Sequence, residues 1–591
     1  MEPTRLFDLL PRYEKLFNKK DMLTYKVNGV WKSFSASEVV DDANLISYAL
    51  FDMGLNKGDK LSIISPNRPE WVITNMGIME AGCINVPIYP TISQNDLVYI
   101  LNDAEVKYVF VLGQVLYDKV NAIRSKLSGL IDIITFDNVE GATDWNSLLV
   151  KGRECKNKEK LEEIKASIDT HDCATILYTS GTTGNPKGVM LSHNNLLSNA
   201  IANKDAALFG KDWKVLSFLP LNHVFERMLT VLYLYQGLSI YYAESMDKIA
   251  DNLKEVQPNC FASVPRLLEK VYERIVAKGH ELTGIKKQLF FWALNLGLRY
   301  ELNGANGWWY EAQLKLANKL IFSKWREALG GKVEVIVSGG AALQPRLARV
   351  FTAANIPVLE GYGLTETSPV VAVNSFQPNS VYFGTVGPVI KGVEVKFAPD
   401  GEILVKGPNV MLGYYKKPAE TAEVMEDGWF KTGDIGELVE GRFLKITDRK
   451  KEIFKTSGGK FIKPQLIENM LKESPYIEQA MVIGEGHKFP AALIVPAFAA
   501  LKSWCERNSI EYTTNENMIT KDFIIQKMRK QVDVTNRYLA QFEMIKEFAL
   551  IPHEWSIDGG ELTPKLSLRR KEIMRINEQL IHKIYSSETR V

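Results

Sequence analysis

The segment Thr179-Ser-Gly-Thr-Thr-Gly-Asn-Pro-Lys187 carries the residue types that grip a polyphosphate. Gly181 and Gly184 let backbone N–H groups approach an anion, and the hydroxyls of Thr179, Ser180, Thr182 and Thr183 add donors. Lys187 supplies a positive point charge. The pattern is not a Walker A loop, because Lys187 follows Pro186 and precedes Gly188 where that motif needs Gly-Lys-Ser/Thr. Four more clusters follow along the chain: Gly361-Tyr-Gly-Leu-Thr-Glu-Thr367, Trp429-Phe-Lys-Thr-Gly-Asp434, Asp448-Arg-Lys-Lys-Glu452 and Ser457-Gly-Gly-Lys-Phe-Ile-Lys-Pro464. A fifth, Leu219-Pro-Leu-Asn-His-Val-Phe-Glu-Arg227, centres on His223. Taken singly, Glu366 reads as a helix N-terminal acid, Asp434 as a turn residue and His223 as a core histidine.

These loops need strands to hold them. Short apolar runs at Leu61–Ser65, Lys107–Leu112, Ile131–Phe136, Cys173–Tyr178, Val215–Leu219, Cys260–Val264 and Val333–Val337 alternate with helical stretches. That order predicts an α/β fold with largely parallel sheets. Thr179, Ser338-Gly339-Gly340 and Gly361 each follow such a run, and open α/β sheets bind ligands outside the carboxyl ends of their strands. Residues 266–330 read as helical, basic and aromatic, and Gly384–Leu444 as short turn-rich segments. A smaller charged unit begins near 448–452, with helices expected at Pro464–Leu471 and Arg570–Tyr585. The boundary is drawn at 450/451, giving domains 1–450 and 451–591.

A chain of 591 residues exceeds one core. A net charge of +2 gives no field that favours nucleic acid. Five scattered cysteines suggest neither a metal site nor a disulfide framework, which fits a reducing cytoplasm. No run reaches the ~20 apolar residues of a spanning helix. Met228–Tyr242 comes nearest and reads as a buried helix followed by a strand. Residues 285–299 could form a helix with a wide apolar face and basic ends, and two uses of it stay open. It packs in the core or lines an internal channel, or it lies on the inner face of a membrane as a peripheral contact. A homodimer stays open as well.

In type and order these motifs resemble the adenylate-forming superfamily, and the likeness spans about residues 20–580. Val264-Pro-Arg-Leu-Leu-Glu-Lys-Val-Tyr272 and the helical stretch after it resemble the long-chain acyl-CoA synthetases. The resemblance implies two α/β sheets and a distorted β-barrel subdomain, followed by a small mobile α+β C-terminal domain. It implies activation of a long-chain fatty acid by ATP, then transfer to coenzyme A. In that reading Thr179–Lys187 holds the β- and γ-phosphates, and Glu366, with Thr179, holds Mg²⁺. Tyr362 stacks on adenine beside Gly339, Gly340, Gly361, Gly363 and Thr365. Asp434 accepts the ribose hydroxyls, and Arg449 helps fix the ribose. His223 lines the acyl pocket. Lys451 is the hinge, and Ser457, Gly458 and Gly459 lie beside the pantetheine.

The C-terminus departs from the pattern. Relatives resemble Leu-Thr-Pro-Thr-x-Lys-Leu-Arg-Arg, whereas this chain has Leu562-Thr-Pro-Lys-Leu-Ser-Leu-Arg-Arg570. Ser567 fills the slot of the lysine that, in those relatives, contacts the substrate carboxylate and the α-phosphate; either Lys565, two residues earlier, does that work or the slot has lost its charge. If Leu562–Leu568 is extended, the two share a face about 6.6 Å apart. Two rival readings are a fatty acyl-AMP ligase that loads a carrier protein, and a non-catalytic acyl- or nucleotide-binding regulator.

Overall fold

The computed structural model describes residues 2–179, 185–206, 209–556, 559–563 and 568–586. Among these residues two sheets have eight strands each. The first runs Val370–Val373, Val358–Gly363, Val335–Ser338, Cys260–Ser263, Lys214–Ser217, Ser239–Tyr242, Leu23–Val27, Val30–Phe34. The second runs Gly413–Tyr414, Lys187–Ser192, Cys173–Thr179, Ile84–Asn85, Lys60–Ile64, Val106–Val111, Asp132–Thr135, Thr143–Asp144. Interior pairings are parallel, as expected, while antiparallel pairs close both ends of the first sheet and one end of the second. The central strands are buried on both faces, which is why they read as unbroken apolar runs.

The helices Pro69–Glu80 and Val224–Gln236 are buried almost all round. Their side chains share one core with residues of both sheets, including Leu61, Ile63, Val215 and Ile240. A helix apolar on every side is an interior helix, and these two lie between the sheets. Met228–Tyr242 is therefore the buried helix end and strand that were expected, joined through Gly237.

Residues 266–330 form the helices Pro265–Glu281, Gly284–Leu298, Trp308–Ala317 and Ser323–Ala328, with a π-helical turn at Asn318–Phe322. They cover the first sheet, packing Phe290, Phe322 and Trp325 against Val350 and Phe351. The apolar face of Gly284–Leu298 is thus largely spent on the core. Beyond it, Glu394–Phe397, Glu402–Lys406, Trp429–Val439, Met425–Glu426 and Phe443–Arg449 make a curled antiparallel half-barrel. Register shifts at Glu402/Leu404 and Ile435/Gly436 bend it.

The C-terminal α+β region has its own core around Ile494, Met528 and Val532. Its three-stranded sheet is Ile477–Ile483, Ala491–Pro496 and Glu547–Leu550. One helix was expected over Arg570–Tyr585, but two form, Arg570–Ile576 and Glu578–Tyr585. Asn577 breaks the run: its backbone leaves helical values and its side chain donates to Ile573 O at 2.8 Å. Among the described residues no helix is long and apolar enough to cross a membrane.

Candidate functional site

Thr179 ends the strand Cys173–Thr179 and pairs in register with Lys187, the first residue of Lys187–Ser192. The phosphate-loop segment therefore joins two antiparallel strands rather than a strand and a helix. Ser180, Gly181, Thr182, Thr183 and Gly184 lie outside the described residues. Lys187 Nζ forms an ion pair with Glu420 and stands 5.1 Å from the Tyr414 ring centroid. Tyr414 reaches this place because Gly413–Tyr414 pairs with Lys187–Ser192, setting Tyr414 opposite Val189. Its hydroxyl donates to Glu366 Oε1 at 3.0 Å. Met411 N–H also donates to Glu366 O at 2.8 Å. Lys187 and Glu366, far apart in sequence, thus meet through one tyrosine.

Tyr414 and Glu420 were not among the residues singled out from sequence. The only signal was Gly413-Tyr-Tyr415 before a helix rich in acids, which has no chemical pattern of its own.

The second half of the site joins the first sheet to the half-barrel. Tyr362 OH donates to Asp434 Oδ2 at 2.6 Å, and Arg449 Nε stands 3.2 Å from Asp434 Oδ1. The strand register makes the latter contact, because Asp434 is the direct partner of Arg449. Burial pushes the Asp434 carboxyl up from its usual range, against the pull of Arg449 and Tyr362. Burial and Asp434 together push the Tyr362 hydroxyl well above 10. Gly363 lies so close to Pro369 O that a Cβ would sit 1.8 Å from it, so the strand bulges there and only glycine fits. Gly340, at φ 85°, turns the chain after Val335–Ser338. Gly361 and Thr365 flank Tyr362 and Glu366 on the same strand and turn.

His223 is the N-cap of Val224–Gln236, and its Nδ1 accepts Phe225 N–H at 3.1 Å. The neutral ring therefore carries its proton on Nε2. Phe225 lies against Gly339, 3.2 Å from the position of a Cβ there. Arg227, fully buried, donates to Thr175 Oγ1 at 2.9 Å and Asn75 Oδ1 at 2.7 Å. This ties the His223 helix to the strand that ends at Thr179.

Beside it, Ser217 Oγ donates to Glu226 Oε1 at 2.6 Å, while Glu226 Oε2 is buried without a partner among the described residues. Burial pushes the Glu226 carboxyl up to about 8. The unfolded value is 4.5, so stability is fully present below 4.5 and falls as pH rises toward about 8, because the unfolded chain then binds fewer protons. Glu226→Gln copies the protonated acid. Its urea midpoint is expected to change less between pH 5 and pH 8 than that of the wild type. A wild-type midpoint that rises over this interval would refute the assignment.

Lys451 is an exposed turn residue between Phe443–Arg449 and the C-terminal region. Ser457, Gly458 and Gly459 are exposed in the turn of the hairpin Phe454–Lys455/Phe461–Ile462, with Ser457 N–H donating to His487 O. Lys565 and Ser567 lie outside the described residues. Leu562 and Leu568 are antiparallel bridge partners. The ends of that segment therefore lie side by side, not about 20 Å apart as an extended run would put them.

Residues 15–415 match the model of a family described as AMP-binding enzyme, and 451–589 match an AMP-binding enzyme C-terminal domain. The chain is 32% identical over 568 residues to a long-chain-fatty-acid–CoA ligase of Mycobacterium tuberculosis, covering 95% of this chain and 94% of that protein. It is 32% identical over 602 residues to the human long-chain-fatty-acid–CoA ligase 1, covering 94% and 82%. Among solved structures, an anthranilate CoA ligase in complex with anthranoyl-AMP superposes with a TM-score of 0.72 at 17% identity, covering 97% and 98%. A Mycobacterium tuberculosis fatty acyl CoA synthetase superposes with a TM-score of 0.63 at 19% identity, covering 96% and 97%.

Proposed function

Because this chain belongs to the AMP-binding enzyme family, we propose that it activates a long-chain fatty acid with ATP and passes the acyl group to coenzyme A. The observation that carries the reading is the meeting of Lys187, Tyr414 and Glu366 beside Thr179. It supplies a cation and a carboxylate at the end of the strand that enters the Ser/Thr/Gly segment. The names of the relatives support the substrate class and the thiol acceptor.

In the first step one carboxylate oxygen bonds to the α-phosphorus. The bond from that phosphorus to the bridging oxygen breaks, and pyrophosphate leaves with the electron pair. In the second, the thiolate sulfur bonds to the acyl carbon, the acyl–oxygen bond breaks, and AMP departs. Two anions meet in the first step, so Lys187 contributes by offsetting charge on the phosphates. Tyr362, Asp434 and Arg449 hold the nucleoside, and His223 borders the acyl carboxylate. Lys451 serves as the hinge between domains 1–450 and 451–591, and Ser457, Gly458 and Gly459 flank the pantetheine.

Magnesium fits the donor set. Among the described residues no group of three or more His, Cys, Asp or Glu could cage an ion. One carboxylate, Glu366, with the Thr179 hydroxyl suits a cation that takes few protein oxygens and fills its shell from phosphate and water. Bound there, it would screen the triphosphate charge.

Incubation with palmitate and ATP tests the first step through pyrophosphate release, and added CoA tests the second through thioester formation. Adenylate without thioester would favour a carrier-protein ligase, and neither product would favour a regulator.

We place the protein in the cytoplasm with peripheral membrane contact, through Trp308–Leu320 rather than 285–299. Trp308 is 80% exposed and Trp309 63%. Exposed Leu316 and Leu320 continue the same strip, interleaved with exposed Lys315 and Lys319. Tryptophan and lysine on one exposed face suit an anionic bilayer surface. Replacing both tryptophans by Ala should weaken co-sedimentation with anionic vesicles roughly ten- to hundredfold. Equal binding by wild type and variant would remove this surface from the reading.

A further inference from the structure

The C-terminal region meets the large one through a chain of charged side chains that starts at Arg266. This residue lies in the first turn of Pro265–Glu281, just past the strand Cys260–Ser263. Its guanidinium pairs with Glu478, with Glu554 at 3.2 Å, and with Glu269 of its own helix at 3.4 Å. Glu478 and Glu554 are held together. Trp555 N–H donates to Gln479 Oε1 at 2.7 Å, and Gln479 Nε2 donates to Trp555 O at 3.2 Å. From Trp555 the chain leads directly to the Lys565 segment: Leu562 N–H donates to Ser556 O, and Leu562 bridges Leu568.

On its other side the chain of contacts runs into the nucleotide loops. Gln344 Nε2 donates to Glu269 Oε1 at 2.9 Å. Arg346 donates through Nε to Gln344 Oε1 at 2.8 Å and returns to the C-terminal region at Lys472 O, 3.3 Å away. Gln344 follows the Gly339–Gly340 turn, and its neighbour Leu343 donates N–H to the carboxylate of Glu360 at 2.9 Å. Glu360 precedes Gly361 and Tyr362.

Arg266 is 18% exposed and Glu478 only 6%. Exposed ion pairs contribute little, whereas removing one partner from a pair largely withdrawn from water strands the other charge. The contact therefore has the strength to bias an orientation.

We propose that Arg266 is a positioning residue that latches the C-terminal region in the orientation seen here. The latch holds Glu478 and Glu554, and with them Trp555 and the bridge between Leu562 and Leu568, at the carboxyl ends of Cys260–Ser263 and Val335–Ser338. This orientation serves acyl-adenylate formation, and thioester formation proceeds with the latch open. The proposal rests on the ligase reading above and adds the contact that selects between its two steps.

The test separates the half-reactions in the full-length enzyme. Arg266→Ala should slow palmitate-dependent pyrophosphate release roughly 10- to 100-fold, the span of a typical coupling between two states. Thioester formation from pre-made palmitoyl-AMP and CoA should stay at or above the wild-type rate. Glu478→Gln should act in the same direction, and combining it with Arg266→Ala should add little, as partners in one contact do. Arg266→Lys should recover part of the loss. If Arg266→Ala forms adenylate at the wild-type rate, or Arg266→Ala and the stably folded Arg266→Lys both lose the two steps equally, the latch is overturned. A wild type that releases no pyrophosphate sinks the ligase reading itself, a result distinct from either.

Discussion

Glu366→Ala is expected to slow acyl-adenylate formation by two to three decades, roughly the 3–4 kcal/mol lost when one preorganised charge stabiliser is removed. Glu366 would be the principal protein ligand of magnesium, and its orientation depends on the Tyr414 hydroxyl at 3.0 Å. The variant should therefore also lose most of its response to added Mg²⁺. Lys187→Ala should fall by a similar factor without that change in metal response, because in the proposed site its charge would act on phosphate directly. Tyr414→Phe separates positioning from ligation: it keeps the ring under Lys187 and deletes only the donor to Glu366, so a smaller loss is expected. Single-turnover pyrophosphate release across a magnesium series measures all three. A Glu366→Ala enzyme with wild-type turnover at low Mg²⁺ would refute the metal role.

The second large effect is expected at Lys565. Lys565→Ala should impair adenylate formation strongly and spare thioester formation from pre-made acyl-AMP. Leu562 and Leu568 lie side by side, so positions 565 and 567 both fall within a short stretch between paired ends. A lysine's flexible four-carbon stem can serve one target from either position. Adding Ser567→Lys to Lys565→Ala should therefore restore activity. Pyrophosphate release by Lys565→Ala at the wild-type single-turnover rate would show Lys565 to be a solvated loop residue.

Lys565 and Arg266 show how unevenly the site can be read from sequence. The departure at Ser567 is plain in the residue order, and so are the glycine and hydroxyl positions, because local backbone demands leave local signatures. Arg266 stands in a motif that reads only as a family resemblance. Its partners Glu478 and Glu554 lie more than two hundred residues away in surroundings with no pattern. Tyr414 and Glu420 escaped for the same reason. Nothing near Gly413 marks it as a strand that pairs with Lys187–Ser192.

Periodicity and apolar runs alone determined the α/β class, the largely parallel strand order, the buried helix–strand pair at Met228–Tyr242 and the strands that lead into the loops. Burial on both faces dictates residue type at every position of such a strand, so the signal is dense. The tertiary structure decided which loops meet. It made the Thr179–Lys187 segment a hairpin connection, set Asp434 opposite Arg449, packed the aromatics of 285–299 against the core and left Trp308 and Trp309 exposed. It also broke the Arg570–Tyr585 helix at Asn577. Each of these depends on strand pairing, on packing between distant segments or on a single side-chain hydrogen bond, and none of these is encoded in a local repeat.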